Sequence, residues 1–216
     1  MKRALLLISA IAAAAILSFR PIYEPDLWWH LAHGRENVSG HIVRTNLFSF
    51  NYGDYRQRYT SWLFDTGSFA AWRIAGPVGI QTGQALLLTA ALLMLFAACR
   101  VRAPAWSAGA VLAIGFFILE PRAIPRPHLV SFAGLAACTW LSERAMAQRT
   151  AAPLWWTVPL IAGWSNFHVE CVFGVLLLAL FSTAELIRPS WLTRREAWKA
   201  LWITTVAGFA TMLNPY

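Results

Sequence analysis

The chain has 216 residues, of which 58% are hydrophobic and 13% are charged, and its net charge is +8. Soluble domains carry about 25% charged residues, so this composition, with apolar runs of near-bilayer length, excludes an ordinary soluble domain and indicates a membrane protein. The basic residues lie in short clusters between apolar runs, which favours a role in membrane topology, and we expect no nucleic-acid partner.

The first apolar run covers residues 4–19 and follows Lys2 and Arg3. A run of this kind is either a cleaved signal peptide or a first membrane-spanning helix. No convincing small-residue cleavage site precedes a mature start, and further apolar runs follow. We therefore favour an uncleaved signal-anchor helix.

Residues 20–77 are predicted to form a long first outer loop with two short helices. The segment DLWWHLAHGREN reads as a helix with Asp26 as its N-cap. Its apolar positions share one face, formed by Leu27, Leu31 and Gly34. This face and the neighbouring Trp residues predict a helix along the membrane interface. A second amphipathic helix is predicted at 60–75, where GPVG ends it.

The remaining apolar runs predict further membrane spans. They are 78–98, 104–119, 128–147, 154–166, 170–187 and 199–213. With the first helix, this gives an all-α polytopic transmembrane bundle of about seven spans. We expect residues 1–216 to form one transmembrane domain, in which 20–77 is the first outer loop and 78–213 is the helical bundle.

The loops between these runs alternate in charge. One set of loop and terminal residues is strongly basic: Lys2, Arg3, Arg100, Arg102, Arg144, Arg149, Arg188, Arg194, Arg195 and Lys199. The opposite short loops carry only Arg122 and Arg126. The positive-inside rule then predicts a multi-pass inner-membrane protein with a cytoplasmic N-terminus.

This topology gathers polar residues on the outer side. They are Glu24, Asp26, His30, Glu120, Arg122, Arg126, His128, Asn166, His168, Glu170, Asn214 and Tyr216. Polar groups near hydrocarbon usually face a cavity or a partner, so their convergence predicts a functional site. Each also has a structural interpretation, since Asp26 can cap a helix, the prolines around Arg126 can shape a turn, and His168 can be satisfied by backbone.

These residue types suit transfer from a lipid-linked phosphosugar. A carboxylate at the membrane face can act as a general base on a hydroxyl acceptor. Arg122, Arg126 and the histidines can bind phosphate oxygens. His30 and His33 have i, i+3 spacing, with Asp26 one turn earlier, and two such ligands can hold a divalent ion. This spacing is not a specific metal signature, so we favour no metal or other cofactor and a structural role for His33.

Several segments carry a family resemblance: PDLWWHLAHGRENVSG with the FSF…W run that follows it, RPHLVSF, WSNFHVECVFG and LNPY. Together they resemble a group of bacterial polytopic membrane proteins that is similar to a distant branch of the GT-C membrane glycosyltransferases. The resemblance covers most of the chain. It implies a helical fold with interfacial helices in the first loop, a polyprenyl-phosphate-linked sugar donor and an extracytoplasmic reaction.

The resemblance also implies a catalytic position. The first-loop acidic residue is catalytic in that superfamily, and the matching position here is Asp26, with Glu24 beside it. Two positions depart from the pattern. The acidic pair of better-known relatives is here Glu-Pro-Asp, and Val169 stands in place of the Gly of an NxHG motif.

The resemblance leaves the extent of the protein open. GT-C enzymes usually have many more than seven helices, and relatives continue beyond LNPY. We therefore expect either a truncated reading frame or the shared N-terminal module without the variable C-terminal half. The alternative function is a non-catalytic membrane scaffold or lipid-binding subunit of an envelope assembly. A transporter is least favoured, because the predicted spans are nearly free of charge in their middles and show no repeat.

Overall fold

The computed structural model describes residues 9, 12–46, 48–56 and 58–216. These residues form helices joined by loops and contain no β-strand, so the predicted all-α class is confirmed. Of the predicted first helix, residues 12–18 are helical and are called α1, whereas residues 4–8, 10 and 11 lie outside the described residues.

Seven further α-helices follow within the described residues. They are α2 (Asp26–Val38), α3 (Trp62–Arg100), α4 (Ala105–Leu119), α5 (His128–Gln148), α6 (Thr157–Ser165), α7 (Cys171–Ile187) and α8 (Arg194–Ala210). Short 3-10 helices cover Glu120–Arg122, Ala152–Trp156 and Thr211–Leu213. The runs predicted at 104–119, 128–147 and 170–187 agree with α4, α5 and α7 to within one residue.

Two of the predicted helix boundaries differ from the structure. The helix predicted at 199–213 begins earlier, at Arg194, because Thr193 Oγ1 accepts a hydrogen bond from the Glu196 amide and caps its N-terminus. The run predicted at 154–166 is a 3-10 turn followed by the short helix α6.

The predicted amphipathic helix at 60–75 and the predicted span at 78–98 are continuous in α3, which is kinked where GPVG predicted an end. Ala75 and Gly76 have non-helical backbone angles, and Gly76 has a φ of +56°. Pro77 follows, and its fixed φ suits the first turn of a helix. The chain therefore resumes a helix at once instead of forming a loop.

By length and composition, one helix among the described residues, α3, is long and apolar enough to cross a membrane. The apolar stretches Ala105–Ile118 and Cys171–Ile187 are shorter. The arrangement of about seven spans therefore stays a prediction.

Trp164 on α6 joins three helices in the core. It is 2% exposed, and its indole N–H donates to Ser131 Oγ on α5 at 3.0 Å. The ring lies 2.5 Å from the position that a Cβ would take at Gly134 of α5, and 2.6 Å from that position at Gly174 of α7. Only glycine at both positions leaves room for the indole, so these two glycines set how closely α5 and α7 approach α6.

Helix α2 lies directly on the first part of α3. Leu27, Leu31 and Gly34 are buried, as the shared apolar face predicted. A Cβ at Gly34 would lie 2.1 Å from the backbone oxygen of Asp65, so the two helix backbones touch at this point. This contact fixes the position of every side chain that α2 presents to solvent.

The loops that follow successive helices lie alternately at the two ends of the molecule. At one end, Arg102 pairs with Glu143 and lies over the ring of Trp191, 4.1 Å from its centroid. Also at this end, Glu196 accepts a hydrogen bond from the Ala151 amide at 2.9 Å. The loops after α3, α5 and α7 are therefore neighbours. The segments 20–61, 120–127 and 166–170 meet at the opposite end, which we call the polar end.

We predict that Gly134→Ala and Gly174→Ala each lower the free energy of unfolding by about 1–3 kcal/mol, because the new methyl group overlaps the Trp164 ring. Urea unfolding of the detergent-solubilised protein, followed by tryptophan fluorescence, measures this. Gly163→Ala on α6 is the matched control. It meets no atom within 4 Å and should be neutral or stabilising by up to about 1 kcal/mol. Equal stability of all three variants would contradict the packing described.

Candidate functional site

Arg126 links the 120–127 turn to the first loop through two carboxylates. Its Nη2 atom lies 2.8 Å from Glu24 Oε1 and 2.6 Å from Asp26 Oδ2. The Glu24 side chain is 5% exposed, whereas that of Asp26 is 52% exposed. The structure therefore brings Arg126 to two predicted site residues about a hundred positions earlier in the chain, and it leaves Asp26 as the accessible carboxylate.

The prediction that Asp26 is an N-cap is wrong. Asp26 is the first residue of α2, and the N-cap position is Pro25, whose side chain makes no cap hydrogen bond. The Asp26 amide donates to Glu24 Oε1 at 3.1 Å, so Glu24 satisfies this amide. The Asp26 carboxylate contacts the guanidinium of Arg126 instead, where two opposite charges meet.

Glu24 and Arg126 stabilise each other's charged forms. Burial favours the neutral form of Glu24, but the hydrogen bonds from Arg126 and from the Asp26 amide outweigh it and hold the pKa of Glu24 below its ordinary value. The hydrogen bond to Glu24 in turn raises the pKa of Arg126. The Nε atom of Arg126 is buried and has no hydrogen-bond partner among the described residues.

A second carboxylate, Asp65, lies under the next turn of α2. His30 Nδ1 is 2.6 Å from Asp65 Oδ1, and the Asp65 side chain is 2% exposed. Sequence reasoning missed Asp65 as a site residue. Its position could have identified it, since Asp65 is the single acidic residue of the predicted amphipathic helix TSWLFDTGSFAAWRIA.

His33 fills a structural position beside this pair. Its ring centroid lies 4.0 Å from that of Tyr59 and 5.2 Å from that of Phe48, and its Nδ1 is 3.8 Å from Asp65 Oδ2. Burial, with a smaller effect of the charge on His30, lowers the pKa of His33 to about 4. His33 is therefore neutral at physiological pH.

These side chains line a cleft of about 600 Å³ at the polar end. Among the residues that the structure describes, the cleft is lined by Asp26, Trp29, His30, His33, Asn46, Phe48, Ser49, Arg58, Tyr59, Thr60, Ser61 and Asp65. The lining thus combines aromatic rings with hydrogen-bonding groups, which suits a polar ligand with flat apolar faces, such as a sugar.

Asn166 and His168 lie at the same end but serve the scaffold. Asn166 Oδ1 accepts from Trp62 Nε1 at 2.8 Å, and its backbone oxygen accepts from the Leu63 amide at 3.1 Å, which anchors the start of α3. His168 Nδ1 is 2.8 Å from Ser131 Oγ and 3.1 Å from Glu170 Oε2. Burial lowers the pKa of His168 despite the opposing charge of Glu170.

The remaining predicted residues complete the polar end without lining the cleft. Arg122 is exposed, and its backbone oxygen is 2.8 Å from His128 Nε2. Glu120 pairs with Arg20. Asn214 donates to the Ser165 oxygen at 2.6 Å, and the Tyr216 hydroxyl donates to the Val43 oxygen at 2.7 Å. The polar segments are therefore neighbours, although of the predicted site residues only Asp26 and His30 face the cleft.

The described residues hold no group of three or more His, Cys, Asp or Glu side chains placed to bind a metal ion. Comparisons of the chain with protein-family models, with curated proteins and with solved structures gave no match.

We predict that Arg126→Gln lowers the free energy of unfolding by about 1–3 kcal/mol near pH 7, because it leaves the buried carboxylate of Glu24 unpaired. The folded-state pKa of Glu24 is lowered, so its stabilising contribution is present above its ordinary value of 4.5 and is lost as the pH falls through the folded-state value. The difference between variant and wild type should therefore shrink in acid.

Chemical unfolding at a series of pH values measures the effect, and the exposed Arg122→Gln is the control. A loss for Arg122→Gln equal to that for Arg126→Gln would show that net charge, not the pairing of Glu24, sets the stability.

Proposed function

We propose that the chain is a membrane glycosyltransferase-like protein of the GT-C type. It transfers a sugar from a polyprenyl-phosphate-linked donor to an extracytoplasmic acceptor, with Asp26 as the base. The observation that carries the proposal is the position of Asp26. It is an accessible carboxylate held by Arg126 at the mouth of a cleft with aromatic and polar walls.

The proposed chemistry gives a role to each of Asp26, Arg126 and Glu24. The oxygen of an acceptor hydroxyl attacks the anomeric carbon as its proton passes to the Asp26 carboxylate. Arg126 places a positive charge near the donor phosphate, which favours binding of an anion. Glu24, buried beneath, holds the guanidinium in place. The sequence resemblance to GT-C proteins supports the same assignment of Asp26 and Glu24.

The apolar helices support a membrane setting. We propose a multi-pass protein of the bacterial inner membrane with about seven spans, a cytoplasmic N-terminus and the polar end outside. The helix α3 is long and apolar enough to cross the bilayer. Large aromatic side chains are exposed towards both ends, Tyr23 and Trp28 at one and Trp156 and Trp198 at the other, as is usual at the two interfaces.

This topology predicts the labelling of single cysteines in a background without Cys99, Cys138 and Cys171. Tyr52→Cys and Val169→Cys at the polar end should react with an impermeant thiol reagent added to intact cells. Gln148→Cys at the other end should react only after the cells are opened. All three positions are exposed in the structure, so access depends on the side of the membrane alone. Labelling of positions 52 and 148 from the same side would contradict the topology.

We predict that Asp26→Asn lowers sugar transfer by about 10²–10⁴-fold, because the amide cannot accept the acceptor proton. Transfer of radiolabelled sugar from polyprenyl-phosphate-linked donors in isolated membranes measures this. Asp54→Asn is the control, since Asp54 is an exposed carboxylate of the same loop that does not line the cleft. Full transfer by Asp26→Asn would exclude Asp26 as the base. Absence of transfer by the wild-type protein with every such donor would instead favour the non-catalytic scaffold or lipid-binding subunit, with the pairing of Arg126 to Glu24 and Asp26 as a structural link.

A further inference from the structure

Helix α2 presents two proton-exchanging side chains to the same cleft. Asp26 and His30 are at positions i and i+4, so they lie on one face of the helix about 5–6 Å apart at Cβ. Both line the 600 Å³ cleft. A reacting group bound above this face can therefore touch a carboxylate at one side and an imidazole at the other.

The ring of His30 is held in one orientation. Its Nδ1 contacts the buried carboxylate of Asp65 at 2.6 Å, and Phe64 lies edge-on to the ring at a centroid distance of 5.1 Å. The His30 side chain is 19% exposed. Because Nδ1 is engaged with Asp65, Nε2 is the nitrogen that remains to exchange a proton with a ligand in the cleft.

Arg126 cannot supply a proton to the phosphate of the donor. When sugar leaves a phosphodiester donor, the phosphate becomes a monoester and gains a negative charge. Arginine keeps its proton in proteins, and Nη2 of Arg126 already contacts two carboxylates. Among the residues that line the cleft, His33 is neutral at physiological pH. His30 is the remaining imidazole.

We propose that His30 is the general acid for the phosphate leaving group and that Asp65 is its positioning residue. The inference rests on the proposed sugar transfer. The acceptor oxygen forms a bond to the anomeric carbon, and the bond from that carbon to the phosphate oxygen breaks. The electron pair of that bond stays on the phosphate. The acceptor proton goes to Asp26, and the Nε2 proton of His30 goes to the phosphate.

The base thus acts on the bond that forms at the anomeric carbon and the acid on the bond that breaks, and solvent returns the proton from Asp26 to His30. The buried carboxylate of Asp65 keeps the Nδ1–H side of the ring turned away from the substrate, so that the proton is delivered from Nε2.

The test measures binding of farnesyl phosphate, a monoester that imitates the leaving group, to the detergent-solubilised chain between pH 5.5 and 8.5. Several charged or titratable groups line the cleft with His30 or act on it: Asp26, His33, Arg58, Tyr59, Asp65, Glu24 and His168. Phosphate monoesters themselves titrate near pH 6, so each pH compares variants with wild type.

We expect His30→Gln to weaken binding by about tenfold or more, because an amide cannot replace the imidazole Nε2 that donates to the phosphate. Asp65→Asn should weaken binding as well, because the His30 ring loses the carboxylate that holds its Nδ1. His41→Gln changes an exposed loop histidine outside the cleft and should retain the wild-type profile.

A His30→Gln variant with wild-type affinity at every pH would overturn the role of His30 while leaving the proposed function intact. Absence of farnesyl phosphate binding by the wild-type protein at every pH would overturn the donor class, and the inference with it. Nitrogen NMR of the wild-type protein labelled at histidine needs no substitution. The Nε2 signal of His30 should shift on saturation with farnesyl phosphate, and an unshifted signal would also overturn the inference.

Discussion

The close contact of α2 with α3 at Gly34 determines the geometry of the polar end. The absent side chain lets the backbone of α2 touch the Asp65 carbonyl, and Leu27 and Leu31 close the same interface. Only at this separation does the Asp65 carboxylate reach His30 one turn away. A larger residue at position 34 would therefore act on the cleft without lining it, because it would move one helix relative to the other.

Charge balance imposes a second constraint. Glu24 and Asp65 are both nearly buried, and a buried carboxylate is tolerated when it is paired and hydrogen-bonded. Arg126 supplies the partner for the first and His30 for the second. The first pairing joins the 120–127 turn to the chain just before α2, and the second joins α2 to α3. The two charge pairings and the close contact at Gly34 therefore both fix the position of α2.

The helices were the predictable part of this fold. Apolar runs bounded by Pro, Gly and Arg marked α4, α5 and α7 closely, because burial of apolar side chains sets their extent. The GPVG segment marked the position of the kink in α3 correctly, but it predicted the end of a helix there. The sequence does not show that a helix resumes at Pro77.

The site was only partly predictable. Charge type identified Glu24, Asp26, His30 and Arg126, yet composition does not distinguish Arg126 from Arg122, which points to solvent. Asp65 pairs with a residue 35 positions earlier, a relationship that no local pattern contains. The cap assigned to Asp26 failed for the same reason, because its partner comes from a distant turn.

The kink at Ala75 and Gly76 divides α3 into two segments with different surroundings. The segment before it carries Asp65 and is anchored by α2 and Asn166, while the segment after it is the longest apolar stretch of the chain. A helix in a bilayer changes its tilt as the thickness of the hydrocarbon layer changes. A bend at a glycine and a proline absorbs such tilting as a hinge, so in the proposed membrane setting the cleft keeps its shape in bilayers of different lipid composition.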